Sequence, residues 1–270
     1  MISGLVASIR RQRAFSLVEM AVVLAIVGFL ITMGMYTLSA QAEQRAREQT
    51  SRTLEQAREA LLGYAVANGR LPCPASPTSN GMESPAGGGS VCTNLNDGFL
   101  PAVTLGFQPT DANGYAIDAW NNPIRYAVSS TISSCSGTTT VPHFTNKTNL
   151  KQNGMSCLPS STELLICKSS QSTPVPAAGN CGAADNAVTN TGTVVAIVFS
   201  PGKNFLQAQT AAAATAAGKT DEAANLDANT VYIMHSPAPS GATGGEYDDQ
   251  MVWIPVGVLY GRMASAGVLP

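Results

Sequence analysis

The chain has 270 residues, 44% of them hydrophobic and only 12% charged, about half the usual charged share. That is enough for one or two domains with a real core. A formal net charge of −2 excludes a broad basic footprint for nucleic acid, and the low charge excludes a disordered polyelectrolyte.

Residues 1–14 hold Arg10, Arg11 and Arg13 and no acid. From Phe15 to Leu38 the chain is apolar, with Glu19 as its one charge. A helix over this segment spans ~36 Å at 1.5 Å per residue, enough to cross a ~30 Å hydrocarbon core. The arginines before it place that end in the cytoplasm and the remaining chain outside. A secretory signal peptide is the first alternative, but its apolar region is shorter and ends at a clear small-residue exit. Glu19 is costly inside a span, so it has a partner there or else snorkels to the headgroups. A cut between Ala14 and Phe15 would create an α-amine able to neutralise it.

Residues 39–69 continue the helix. They contain no proline, and Ala42, Ala46, Leu54, Ala57, Leu61 and Ala65 recur at helical spacing with charges on the other faces. Asn68-Gly69, followed by Pro72, ends the helix. The spacing therefore predicts one helix of roughly 50 residues, apolar then amphipathic. Sustained heptads for a coiled coil are missing.

Residues 70–270 read as an extracytoplasmic β-rich domain. The turn-rich stretch 70–100 is a loop, and irregular structure continues to Gly114. Strands are expected at 124–128, at 164–166 and, most strongly, at 193–199. Residues 205–228 are Ala-rich and predict a surface helix. Segments 230–234 and 251–254 are expected to close the sheet. Trp120 and Trp253 are expected in its core. The six cysteines, Cys73, Cys92, Cys135, Cys157, Cys167 and Cys181, all lie in this domain and form no CxxC. With two histidines in the chain, finger-type zinc spacing is absent and disulfides in an oxidising compartment are the better reading. Pairing of sequence neighbours (73–92, 135–157, 167–181) is the simplest of the possible connectivities, each bridge contributing ~3 kcal/mol in the loop-entropy picture.

The run Arg13-Ala14-Phe15-Ser16-Leu17-Val18-Glu19 resembles the N-terminal signal of type IV prepilins and type II secretion pseudopilins. In that family a basic leader ends at Gly, a prepilin peptidase cuts after it, the new N-terminal Phe is N-methylated, and Glu at the fifth mature position is required for assembly. The resemblance makes Ala14 the residue before the cut, where the family has Gly, Phe15 the methylated N-terminus and Glu19 the assembly carboxylate. Three further segments are similar to the family: Arg70 to Pro74 after the helix, the turn Asp118 to Tyr126 with Asn121 in place of a Gly, and the acidic turn Asp248 to Trp253. With the helix they cover about half of the chain. The resemblance implies an α+β fold, a long N-terminal helix packed on a small antiparallel β-sheet with disulfide-tied loops. It also implies a subunit, more readily minor than abundant, of a type IV pilus or type II secretion pseudopilus. Its partners would be other pilin or pseudopilin subunits, the prepilin peptidase and an inner-membrane assembly platform. Its location would be the inner membrane with the domain in the periplasm, then a filament. Rival readings are an uncleaved, membrane-anchored periplasmic binding domain or enzyme, and a pilus-tip adhesin.

Enzyme motifs fail, so no catalytic residues and no organic cofactor are expected. Gly218-Lys219-Thr220 ends like a P-loop, but Ala213 fills the first glycine position. His143 and His235 read as structural. Glu246, Asp248 and Asp249 form a compact acidic turn. Such oxygen ligands suit Ca²⁺, as in the comparable loop of some pseudopilins; the alternative is a solvated turn whose carboxylates cap a strand end.

Overall fold

The computed structural model describes residues 16–88, 91–130, 142–207 and 209–269, with the side chains of 32–39 and 207 outside that description. Residues 1–45 and 46–270 form two compact units. Helix α1, Leu17–Asn68, is 52 residues long, as the absence of proline and of sustained turn signals predicts. It ends where Gly69 takes a φ of 73° and donates its N–H to the Ala65 carbonyl at 2.8 Å. Only glycine adopts that left-handed turn without strain.

In the second unit the apolar stripe of α1 becomes a core face. Leu54, Ala57, Leu61, Leu62 and Ala65 are buried. The earlier members of the expected stripe are not: Ala42 is exposed and Ala46 half-buried. The buried face instead begins at Thr50, whose hydroxyl accepts the Ala119 N–H at 3.2 Å.

The stripe packs on a four-stranded antiparallel sheet of order β1 (Gly98–Phe99), β2 (Arg125–Val128), β4 (Val194–Ser200), β6 (Gln250–Pro255). Side-chain alternation divides the strands between two layers. Tyr126, Val128, Ala196, Val198 and Ile254 face α1, whereas Ala127, Ile197, Phe199 and Met251 face the opposite side. Strand β4 is buried at all seven positions, which explains why its sequence is continuously apolar rather than alternating. Helix α6, Val256–Ser265, follows β6 directly and adds Leu259, Tyr260 and Met263 to the α1 layer.

The opposite side is covered by a separate pair, β3 (Leu165–Cys167) and β5 (Val231–Ile233), which run parallel. This corrects the expectation that 230–234 closes the main sheet. The Asn225 side chain lies along β5 as a neighbouring strand would, accepting the Ile233 N–H at 2.7 Å and donating to its carbonyl at 3.0 Å. The Ala-rich stretch is two short helices, α4 (Ala211–Ala216) and α5 (Thr220–Asn225), split at Gly218 with φ 75°. It is not simply surface, because Asp221, Glu222, Ala223 and Asn225 are buried. Two further helices are α2 (Ala102–Leu105), within the stretch expected to be irregular, and α3 (Lys147–Asn153). Asn146 caps α3 by accepting the Asn149 N–H at 3.0 Å. Trp120 and Trp253 are half-buried rather than core.

Cys73–Cys92 and Cys167–Cys181 are bridged, with Cα separations of 5.4 and 5.5 Å. Cys157 is also disulfide-bonded; its expected partner Cys135 lies outside the described residues. The first bridge closes a loop pinned by a buried ion pair. Arg70 donates to Glu83 at 2.7 and 2.8 Å and to the Gly87 carbonyl at 2.9 Å, while Glu83 accepts the Cys73 N–H at 3.1 Å. The loop after α1 is thereby tied to the end of the helix.

Candidate functional site

At the N-terminus, Ala14 and Phe15 lie outside the described residues. Ser16 begins the description, and its hydroxyl accepts the Glu19 N–H at 3.2 Å. Ser16 and Glu19 thus have the S-x-x-E spacing of a capping box, with one of its two bonds in place. Glu19 in the first turn also complements the helix dipole. Every side chain from Ser16 to Ile31 is exposed, including Leu17, Val18, Leu24, Phe29, Leu30 and Ile31. An apolar surface of this extent is unusual for a protein that acts alone in water. Among the described residues no helix is long and apolar enough to cross a membrane. The expected span 15–38 extends beyond the apolar side chains that are described, 17–31.

The acidic turn is arranged differently from its sequence expectation. Asp248 and Asp249 are buried, so it is not a solvated turn. Their companion is Glu222 of α5: one carboxylate oxygen from each of the three lies within 4.8 Å of the others. Glu246 is not part of this group. It turns to Lys219, 3.1 Å from the ammonium, because that buried cation stands beside it. Lys219 also lies 3.8 Å from Glu222 Oε2. The other oxygens are largely engaged. Glu222 Oε1 accepts from Asn204 Nδ2 at 2.8 Å and from the Asp248 N–H at 3.1 Å. Asp248 Oδ2 accepts the Lys203 and Asn204 N–H groups at 3.1 and 3.3 Å, and Asp249 Oδ2 accepts from Asn225 Nδ2 at 2.8 Å. Asp248 Oδ1 and Asn204 Oδ1 are buried without a hydrogen-bond partner. Burial raises Glu222 to about 7 and Asp248 to about 6, and pushes Asp249 well above the ordinary carboxylate range.

Residues 9–35 match the family model of the prokaryotic N-terminal methylation motif. The chain carries the type IV pilin and pseudopilin signature. The match spans the arginines of the basic leader, Ala14, Phe15, Glu19 and the start of α1. A pilin-type signature implies a membrane-associated precursor and, in general terms, assembly with other pilin subunits. No curated protein and no solved structure matches the chain.

Beyond the pilin signature, the Asp118 turn has a structural role. Asp118 Oδ1 accepts the Trp120 and Asn122 N–H groups at 2.8 Å each, and Oδ2 accepts the Ser200 hydroxyl at 2.5 Å. Asn121 sits at φ 64°, a left-handed conformation that Gly adopts freely and Asn more readily than most other residues. The histidines are structural too. His143 is buried, 3.1 Å from the Tyr260 hydroxyl, and burial lowers it to about 4. His235 stacks on Tyr247 and stands 3.3 Å from Asp221. Lys219 binds carboxylates rather than closing a phosphate loop.

Calcium, the ion that the acidic turn suggests by resemblance, would share this arrangement with a buried cation. It takes six to eight oxygens, and the carboxylates here already accept several N–H groups. A calcium ion on Glu222 Oε2 at the usual ~2.4 Å would lie within about 6 Å of the Lys219 ammonium. Repulsion between the two would be on the order of 5 kcal/mol at an effective dielectric of ~20. Sequence reasoning did not place Glu222 and Lys219 at the turn, which begins some 24 residues or more after them; only the return of the chain from α5 to β6 brings them together.

Proposed function

We propose that the chain is a structural subunit, more readily minor than abundant, of a type IV pilus or a type II secretion pseudopilus. The observation that carries this reading is the fully exposed apolar start of α1, led by Glu19 and by the methylation motif. Such a surface is covered either by lipid or by the same surface of other subunits. The prepilin peptidase removes residues 1–14 after Ala14, and Phe15 receives the methyl group. Before assembly α1 is held in the inner membrane with the domain in the periplasm. An assembly platform then passes the chain into the filament, where Glu19 neutralises the α-amine of a neighbouring Phe15. In the low-dielectric filament core that pair replaces two costly lone charges. The role is structural rather than catalytic, and it involves no nucleic acid.

The test is mass spectrometry of the chain recovered from native membranes, combined with Glu19→Ala. A mature chain beginning at N-methylated Phe15, with Glu19→Ala processed but absent from sheared filaments, is the expected result. An intact chain uncut at Ala14-Phe15, with Glu19→Ala functioning normally, would overturn the proposal in favour of an uncleaved periplasmic anchor.

A further inference from the structure

The stretch 205–228, which contains Lys219, α4 and α5, is not covered by any resemblance to pilins. It nevertheless delivers the two residues that complete the acidic turn. Lys219 is 5% exposed and Glu222 4% exposed. The lysine backbone is fixed on both sides: its N–H donates to the Ala214 carbonyl at 2.8 Å and its carbonyl accepts the Ala223 N–H at 2.9 Å. Gly245, in the loop before β6, packs so closely on this segment that a Cβ there would stand 2.0 Å from the Gly218 carbonyl oxygen. The side chain is therefore directed between two separate chain segments. Its ammonium lies 3.8 Å from Glu222 of α5 and 3.1 Å from Glu246 of that loop.

We propose that the Lys219 ammonium is the resident cation of this loop, tying α5 to the segment before β6 through Glu222 and Glu246, so that the domain folds and persists without calcium. Three features support this. The ammonium is buried and is flanked by carboxylates from both segments that the loop has to join. One oxygen each of Glu222, Asp248 and Asp249 already accepts N–H groups from Asn204, Lys203, Asp248 and Asn225. The free oxygen of Asp248 is closed off by Gly202, where a Cβ would meet it at 1.8 Å. A covalently attached ammonium needs neither uptake nor retention of an ion, an advantage for a domain exposed to media of varying calcium content. The inference concerns the domain alone and stands or falls independently of filament assembly.

The test uses the full chain in detergent, with thermal unfolding followed in millimolar CaCl₂ and in EDTA. The wild type is expected to unfold at the same temperature in both, and calorimetric titration with CaCl₂ to show no saturable heat. Lys219→Arg should behave in the same way. Lys219→Met removes the buried cation beside Glu222 and Glu246. It should lower Tm in EDTA by roughly 10 °C and recover part of that loss in calcium. A site filled a hundredfold above its dissociation constant would raise Tm by roughly 5–10 °C, so such a rise in the wild type would overturn the proposal. It would equally be overturned if Lys219→Met unfolded at the wild-type temperature in EDTA. If Lys219→Met does not fold, the wild-type titration and the Lys219→Arg chain decide the matter.

Discussion

At the residue scale, the acidic cluster makes stability depend on pH. Glu222 at about 7 and Asp248 at about 6 hold protons more tightly folded than unfolded. Their contribution is therefore greatest in acid and falls as pH rises from about 4.5 through about 7. His143, lowered to about 4 by burial, works in the opposite direction: its contribution is complete above its ordinary value near 6.5 and is lost as pH falls toward 4. His143 offsets only part of the fall caused by the two carboxyls, so together these groups make the protein more stable in mild acid than at neutral pH. Glu222→Gln keeps the shape and removes the titration, so its Tm should fall less than that of the wild type between pH 5.5 and 8. The difference accumulated over that range is on the order of 2 kcal/mol. Thermal scans across the range check it; a Glu222→Gln chain with the wild-type slope would remove Glu222 from the effect.

At the element scale, what was legible in the sequence was whatever repeats along the chain. The 3.6-residue stripe and the lack of proline placed α1, an uninterrupted apolar run placed β4, and the Asn121-Asn122-Pro123 turn marked the start of β2. The methylation signature was readable because leader, Phe15 and Glu19 are contiguous. Pairing was not readable. Strand β5 is as apolar as its neighbours, yet it pairs with β3 apart from the main sheet, with the Asn225 amide along part of its edge. Nor could adjacency on the page reveal that Glu246 leaves Asp248 for Lys219. The Asp118 turn lies between these cases: its motif was visible, while the demand for a left-handed residue at Asn121 was not. That demand gives a prediction. Asn121→Gly should be neutral or gain up to about 0.5 kcal/mol, whereas Asn121→Val, which tolerates positive φ poorly, should lose about 1–2 kcal/mol. Urea unfolding of both variants tests this, and equal stabilities would show that the turn relaxes to another conformation.

At the scale of the whole molecule, the two halves of α1 have opposite solvation. From Thr50 onward the helix has a buried face that belongs to the core of residues 46–270, while Leu17 to Ile31 is exposed throughout. If the exposed segment serves lipid and neighbouring subunits, its removal costs the domain no core. Residues 46–270 exported to an oxidising compartment should then be soluble and monomeric by light scattering, with a cooperative unfolding transition. Reduction should lower that transition, because Cys73–Cys92 and Cys167–Cys181 each contribute ~3 kcal/mol through loop closure. The full-length chain should require detergent to stay dispersed. An oxidised 46–270 fragment that aggregates or unfolds would mean that the apolar segment completes the fold of the domain. A soluble, cooperative fragment would leave the segment free for contacts with lipid and with other copies, since its apolar surface then contributes nothing to folding.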